Sequence, residues 1–178
     1  MHKEGIFVSN DLFMEMIRYE SGCPQRVQHF TKVHAYARWI GKQEHLPPDQ
    51  QHMLETAAMV HDIGIKESLS RYGVASGRHQ EELGPDIARA MLQKLEYAPD
   101  VIDRVCYLVG HHHTYGQVDG LDYRILVEAD FLVNLFEDNS SPEAIRHAYE
   151  AVFRTTSGKA LCRAMFRLDD EKESVTHV

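Results

Sequence analysis

Cysteine is scarce in this chain. The 178 residues contain three cysteines, Cys23, Cys106 and Cys162, and no two of them stand at a C-x-x-C spacing. An odd number of scattered cysteines is typical of thiols kept reduced inside the cell. Cys106 lies in an apolar helical segment, where we expect it to fill space in the core. The cysteine pattern therefore predicts a cytoplasmic protein.

Long apolar segments are absent as well. No apolar run approaches the ~20 residues that a membrane-spanning helix needs. The first twenty residues, MHKEGIFVSNDLFMEMIRYE, contain no apolar core of the kind found in signal peptides. The sequence therefore predicts a soluble protein without a membrane partner.

Basic charge is also in short supply. Lysine and arginine number 19 against 27 aspartates and glutamates, which gives a net charge of −8 with histidine neutral. This balance argues against a broad electrostatic surface for nucleic acid or anionic membrane. A local basic pocket is still compatible with it. We therefore expect a small substrate and no long nucleic acid.

Strand signals are missing, whereas helix signals are frequent. No pair of alternating segments is joined by Asn-Gly or Asp-Gly, and Pro85, Pro99 and Pro142 fit the first turns of helices. Hydrophobic residues make up 43% of the chain, which suffices for one packed domain. The segments 66–80 and 113–120 are interpreted as loops, and 169–178 as a polar tail. The sequence predicts an all-α domain with helices at roughly 9–19, 25–43, 50–62, 81–96, 99–112, 121–137, 142–155 and 157–168.

Histidine, in contrast, is abundant: there are twelve, and three of them are consecutive. The segment AAMVHDIGIK, residues 57–66, places His61 and Asp62 side by side after an apolar run. Burial of an ionised carboxylate without a partner costs several kcal/mol or more. A counterpart for this pair is therefore needed inside the fold.

Helical periodicity brings further polar residues toward the same interior. His61 shares a face with apolar residues of its helix, and Asp130 lies in the nearly all-apolar segment DYRILVEADFLVNLFED. In the helix 25–43, periodicity allows either His29 or His34 to face inward. Imidazole and carboxylate together suit a divalent transition metal, and a hydrogen-bonded network without metal is the alternative. We interpret the counterpart of the His-Asp pair as a metal ion.

The order His29, His61-Asp62, Asp130 resembles the HD-domain family of metal-dependent phosphohydrolases. The segments HFTKVHAYARWIG, AAMVHDIGIK and LVEADFLVNL are similar to the first-histidine, central and final-aspartate helices of that family. The resemblance extends over residues 25–137. It implies one HD-type helical bundle over 1–178, in which the C-terminal helices 142–168 follow the matched part. It also implies that His29, His61, Asp62 and Asp130 are the metal ligands, with His29 favoured over His34 by the family's spacing.

The family resemblance bears on a second metal ion too. Some members bind one through additional histidines, and GHHHTYGQVDG resembles that segment, with His112 and His113 as the better matches. A further histidine of the family falls at the position of Gln80 in this chain, and His79 is one step away. We therefore expect one tightly bound divalent ion (Mn, Fe, Co, Ni, Zn or Mg), with room for a second.

The resulting hypothesis is a hydrolase that acts on a small phosphorylated substrate, with a nucleotide as the expected one, by attack of a metal-activated water. Asp62 would orient the water, while Lys66, His112 and His113 would stabilise phosphate charge or protonate the leaving oxygen. An ordinary surface lysine is the alternative interpretation of Lys66. The rival hypothesis is a non-catalytic sensor that binds a nucleotide or a metal on the same scaffold. The sequence does not indicate the oligomeric state.

Overall fold

The structure, a computed structural model, describes residues 10–168, and within them it contains helices and no strand. The predicted all-α architecture is therefore confirmed. None of the described helices is long and apolar enough to cross a membrane. In chain order the helices are α1 (Asn10–Tyr19), α2 (Pro24–Gln43), α3 (Pro48–Ala58), α4 (Ile65–Tyr72), α5 (Gly77–Lys94), α6 (Pro99–Val109), α7 (Leu121–Glu137), α8 (Pro142–Ala151) and α9 (Thr156–Phe166).

Helices α2 and α7 lie side by side and form the centre of the bundle. Helix α3 packs against both of them, and α5 pairs with α6 on the far side of α3. Because α7 has neighbours on most sides, its buried residues are not confined to one stripe, and they include Asp122, Glu128 and Asp130. The apolar character of this segment is thus explained by burial all round, and its few acidic residues all need partners.

The segment 66–80 is not the loop that its glycine and serine content indicated. Most of its first half forms α4, which ends where Gly73 adopts the left-handed conformation with φ of 71°. That conformation is strained for other residue types, so glycine provides the helix stop. Helix α4 was not predicted because it is short and mostly exposed, so it lacks a clear apolar periodicity.

Helix α5 begins earlier than predicted. The Ser76 side chain accepts a hydrogen bond from the backbone N–H of His79 and caps the helix. Pro85 consequently lies inside α5 and not in its first turn. Pro99 and Pro142 do occupy the first helical positions, as predicted.

Helices α3, α6 and α8 end several residues sooner than the sequence indicated, and the first two of these ends affect the candidate site. Helix α3 ends at Ala58, and the turns that follow carry His61 and Asp62. Helix α6 ends at Val109, so His112 also lies beyond a helix end. The candidate functional residues on these two segments are therefore held by turns between packed helices. The predicted polar tail 169–178 lies outside the described residues.

Glu128 joins α7 to the start of α9. Its side chain is fully buried and accepts hydrogen bonds from the backbone N–H of Arg154 at 2.6 Å and of Thr155 at 2.9 Å. The Thr155 hydroxyl donates to the same carboxylate at 2.5 Å and accepts from the N–H of Gly158 at 2.9 Å, which caps α9. The buried carboxylate of Glu128 thus accepts three hydrogen bonds from the two residues that precede α9.

We predict that Glu128→Gln destabilises the fold. The amide nitrogen would turn a donor toward one or more groups that now donate to the carboxylate, at a cost of about 1–3 kcal/mol in the free energy of unfolding. Urea denaturation measures this difference. Glu82→Gln, at an exposed position of α5, is the control and should change stability by no more than about 0.5 kcal/mol. Equal effects of the two substitutions would contradict the role given to Glu128.

Candidate metal centre

Four buried side chains from three parts of the fold meet between α2 and α7. His29 comes from α2, Asp130 from α7, and His61 and Asp62 from the turns after α3. These turns pack closely on α5: a Cβ atom at Gly64 would lie 2.8 Å from the Gln80 carbonyl oxygen. Glycine at this position therefore lets the His-Asp segment approach the bundle centre.

The imidazole tautomers are fixed by acceptors outside the cluster. His61 Nδ1 lies 3.0 Å from the carbonyl oxygen of Ala58, and His29 Nδ1 lies 2.9 Å from Glu137 Oε2. A carbonyl and a carboxylate only accept, so both Nδ1 atoms carry the proton and donate. In the neutral rings the lone pair is then on Nε2. Both histidines are thus prepared to act as ligands through Nε2.

These lone pairs converge. His29 Nε2 lies 3.2 Å from His61 Nε2, 3.5 Å from Asp62 Oδ2 and 3.2 Å from Asp130 Oδ1. His61 Nε2 lies 3.6 Å from the same Asp62 atom and 3.5 Å from the same Asp130 atom. Ligands at about 2.1 Å from one ion are separated by about 3.0–3.4 Å in octahedral or tetrahedral coordination. The residues therefore fit a divalent cation by spacing as well as by donor type.

Protons replace such a cation when the centre holds none. Burial lowers the pKa of His29, but the hydrogen bond to Asp130 and the charge of Asp62 outweigh burial and raise this pKa to about 9. Burial raises the pKa of Asp130, whereas its contacts with His29 and His61 lower it further than burial raises it. The site is therefore one that attracts positive charge strongly.

A second group of possible ligands shares Asp62. Its Oδ1 atom lies 3.0 Å from His112 Nε2 and 3.8 Å from His113 Nε2. His112 Nδ1 lies 2.9 Å from the carbonyl oxygen of Val109 and donates to it, so Nε2 is the ring atom directed at Asp62. The two oxygens of Asp62 thus face two different histidine groups. His112 is buried and points into the interior.

Gln80 occupies the remaining side of this second group. Its Oε1 atom lies 3.1 Å from His113 Nε2, and its amide donates to the carbonyl of Ala75. An amide oxygen can only accept, so His113 donates through Nε2. Burial, followed by the charge of His112, lowers the pKa of His113 to about 4. His113 is therefore neutral, and its Nε2 proton competes with any second cation.

The histidine segment is anchored from both sides. Arg104 binds Asp122 through Nε at 2.8 Å and through Nη2 at 2.7 Å, and it also pairs with Asp119 at the end of the segment 113–120. The Tyr123 hydroxyl donates to the backbone carbonyls of His111 and Thr114. Such bidentate and buried contacts hold the backbone that carries His112 in one position.

Other residues considered in the sequence lie outside the cluster. His34 Nε2 is 3.6 Å from Glu55 Oε2, on the other side of α2 from His29. Lys66 is exposed and its ammonium donates to the backbone carbonyl of Tyr19. His79 stacks against Tyr72, and His111 donates to the Tyr107 carbonyl at 2.7 Å. A role for Lys66 in catalysis stays a prediction.

Sequence reasoning missed two residues of α7 that support the ligands. Glu137 accepts from His29 Nδ1, and Asn134 Nδ2 donates to Asp130 Oδ1 at 2.9 Å. Both lie on the face of α7 that carries Asp130: Asn134 is four positions after Asp130, and Glu137 is seven positions after it. The helical period was a sufficient signal for finding them.

A chamber of about 210 Å³ opens beside the cluster. Its walls include His29 and Asp62 together with Arg26, which sequence reasoning also missed. Arg26 Nε donates to Glu20 Oε2 at 2.5 Å, and Glu20 is fully buried. The terminal nitrogens of Arg26 have no hydrogen-bond partner among residues 10–168. A cationic group thus lies in the wall next to the ligand cluster.

Comparison with known proteins gives two findings. The family model described as HD domain matches residues 26–145. The fold is similar to the crystal structure of a predicted HD superfamily hydrolase from an uncultured Thermotogales bacterium, with a TM-score of 0.61 and 20% sequence identity over 92% of this chain and 86% of that chain. No curated protein gives a match. The family match and the ligand cluster together support a metal-dependent hydrolase.

We predict that chelation lowers the melting temperature of the purified protein, because a cation that binds only the folded state stabilises it by mass action. His29→Ala should abolish both the metal content and the effect of the chelator. His34→Ala, five residues along the same helix, is the control: it should keep both and lose some stability. Differential scanning fluorimetry with and without chelator, together with elemental analysis, measures these effects. The reverse pattern would assign the ligand to His34.

Proposed function

The chain belongs to the HD-domain family, and on that premise we propose that it is a metal-dependent hydrolase of phosphate esters in small molecules. The observation that carries the proposal is the convergence of four lone-pair-bearing atoms on one point beside an open chamber. His29, His61, Asp62 and Asp130 would hold the cation. When bound, a divalent cation would polarise a phosphoryl oxygen and make water a better nucleophile.

Asp62 has a role beyond holding the cation. One of its oxygens faces the cluster and the other faces His112 Nε2 at 3.0 Å. The carboxylate can therefore orient an attacking water through one oxygen, accept the proton that the water loses, and relay it through the other oxygen to His112 Nε2. The chamber wall includes Asp62, so the water and the substrate meet at this side chain.

Hydrolysis breaks the bond between phosphorus and the alcohol oxygen, and the water oxygen stays on the phosphate. The departing alcohol oxygen must gain a proton. His112 Nε2 is suited to deliver this proton to the alcohol oxygen, because Nδ1 is held as a donor to Val109 and the ring is fixed by burial. To donate to the phosphate, the neutral His113 would have to exchange its Nε2 hydrogen bond to Gln80 Oε1 for one to a phosphate oxygen.

Arg26 is the basic group that we assign to the substrate phosphate. Glu20 fixes the guanidinium through Nε, which leaves the edge with two terminal nitrogens for a bidentate contact with phosphate oxygens. Lys66, the candidate from the sequence, already donates to Tyr19 and stands over the Tyr19 ring at 4.9 Å. The position of Arg26 in the chamber wall supports the assignment.

One tightly held cation is the expected stoichiometry. The second group of ligands offers Asp62 Oδ1 and His112 Nε2, but His113 Nε2 is engaged with Gln80. A second cation would have to break that hydrogen bond to gain a third ligand. We therefore infer one strong site and a weaker second one. The mixed nitrogen and oxygen donors admit Mn, Fe, Co, Ni, Zn or Mg in the strong site.

The substrate that we propose is small and phosphorylated, with a nucleotide as the leading candidate. The net charge of −8 disfavours long polyanions, so attraction for phosphate is confined to the cluster and Arg26. A chamber of about 210 Å³ is below the usual range for a whole drug-sized ligand, about 300–1,000 Å³. It fits the phosphoryl end of a substrate whose remainder lies outside.

We predict that the protein, supplied with divalent metals, hydrolyses a chromogenic phosphate ester, and that His112→Gln lowers turnover by about 10²-fold or more while the metal stays bound. The loss follows from removal of the group that exchanges the proton of the leaving oxygen. Turnover and elemental analysis on the same samples measure it. A fully active His112→Gln protein would refute the role of His112. Absence of turnover in the unmodified protein with every metal would favour the non-catalytic sensor.

A further prediction separates Arg26 from Lys66. Arg26→Lys keeps a cation beside the buried Glu20 but loses the bidentate edge, and we expect KM for the same ester to rise about 10-fold or more, the scale of one lost charged hydrogen bond. Lys66→Ala is the matched control and should change KM less than threefold. Steady-state kinetics on both variants measures this. A larger increase in KM for Lys66→Ala than for Arg26→Lys would assign the phosphate contact to Lys66 and contradict its assignment to Arg26.

A further inference from the structure

A second, larger chamber of about 590 Å³ continues from the one beside the ligand cluster. Gln25 and Glu137 line both, so the two spaces adjoin along the start of α2 and the end of α7. We call them the inner chamber, with His29 and Asp62 in its wall, and the outer chamber, with Phe136 in its wall. A ligand held at the cluster would project from the inner chamber into the outer one.

The wall of the outer chamber carries an unusually exposed aromatic ring. Phe136 is 63% exposed, the largest exposed fraction among the large hydrophobic residues in the described part of the chain. Lys32 Nζ lies 5.5 Å from the centre of this ring and is held by Glu137 Oε1 at 2.5 Å. Single exposed apolar residues are common and need no function. Phe136 differs because its ring borders a chamber that leads to the ligand cluster.

The polar groups around this ring are mainly carboxamides. Gln25, Gln28 and Asn139 line the outer chamber with Phe136. A carboxamide both donates and accepts hydrogen bonds, which is how asparagine and glutamine recognise the edges of nucleobases. An aromatic ring, in turn, offers a stacking surface to any base. Together these residues suit a flat ring with nitrogen and oxygen atoms on its edge.

Charge in the outer chamber disfavours a second phosphate there. Lys32, its cation, is already paired with Glu137, and Glu137 also accepts from His29. The chamber therefore presents little uncompensated positive charge. An uncharged organic group suits it better than another anion.

We propose that the outer chamber binds a flat heteroaromatic ring of the nucleobase class, stacked on Phe136, in the substrate whose phosphoryl group lies in the inner chamber. This assignment rests on the proposed function for the position of the phosphate. It makes Phe136 a specificity-determining residue, since substrates without such a ring would forgo the stacking contact. Stacking of a base on an aromatic side chain changes affinity by about 5- to 150-fold.

Equilibrium binding tests the proposal without turnover. The probes are non-hydrolysable methylene-phosphonate analogues of the four nucleoside 5′-monophosphates and of ribose 5-phosphate, and calorimetry on the Mn²⁺-loaded protein gives their dissociation constants. At least one nucleotide analogue should bind about tenfold or more tightly than the ribose analogue. Phe136→Ala should remove that advantage, and Phe136→Tyr, which keeps a ring, should retain it. Trp39→Ala removes an exposed aromatic residue of α2 that does not line the outer chamber, and this control variant should also retain the advantage.

Three results would overturn the inference: equal binding of the nucleotide and ribose analogues, an advantage that survives Phe136→Ala, or no binding of any analogue. Its failure is distinct from failure of the proposed function. Hydrolysis of ribose 5-phosphate and nucleotides at equal rates would keep the hydrolase and reject the ring site. A ring preference that depends on Phe136 in a protein that hydrolyses none of the esters would keep the ring site and reject the hydrolase.

Discussion

The central constraint on this structure is that four acceptor atoms face one another in the interior. His29 and His61 each donate a hydrogen bond through Nδ1 to an acceptor outside the cluster. Their Nε2 atoms therefore face each other at 3.2 Å beside two carboxylates. Neutral rings and ionised acids in this arrangement repel unless positive charge lies among them. The bundle therefore needs positive charge at its centre, either from a cation or from protons on the histidines, and the rest of the site is arranged around that need.

The packing of the helices supplies the rigidity that such a cluster requires. Helix α7 is buried on most sides and carries Asp130, while α2 beside it carries His29. The His-Asp pair comes from turns that pack against α5 at Gly64, where no side chain would fit. Each of the four side chains is thus fixed by neighbours outside the cluster, which is the arrangement that a metal site needs to keep its shape.

Sequence patterns were sufficient for part of the site and insufficient for the rest. His61, Asp62 and Asp130 were found because a charged or polar residue in an apolar helical phase has to have a partner. Periodicity alone could not separate His29 from His34, because α2 packs against both α7 and α3. His29 faces α7, and His34 faces α3. The family spacing favoured His29, the histidine that lies in the cluster.

The parts that the sequence concealed depend on contacts between distant segments. Arg26 gains its place from Glu20, across the turn between α1 and α2, and no local pattern indicates that pairing. Helix α4 was missed because it is short and largely exposed, and the segment 66–80 that contains most of it has the glycine and serine content of a loop. Glu137, in contrast, stands in the helical phase of Asp130 and could have been identified from spacing alone.

The most direct test is a crystal structure of the protein grown with Mn²⁺ and measured at a wavelength where manganese scatters anomalously. The account predicts a strong anomalous peak about 2.1 Å from the Nε2 atoms of His29 and His61 and from one oxygen each of Asp62 and Asp130. Any second peak should be weaker and lie near His112. A crystal without a peak among the four ligands, or with its strongest peak elsewhere, would contradict the assignment of this cluster as the metal centre.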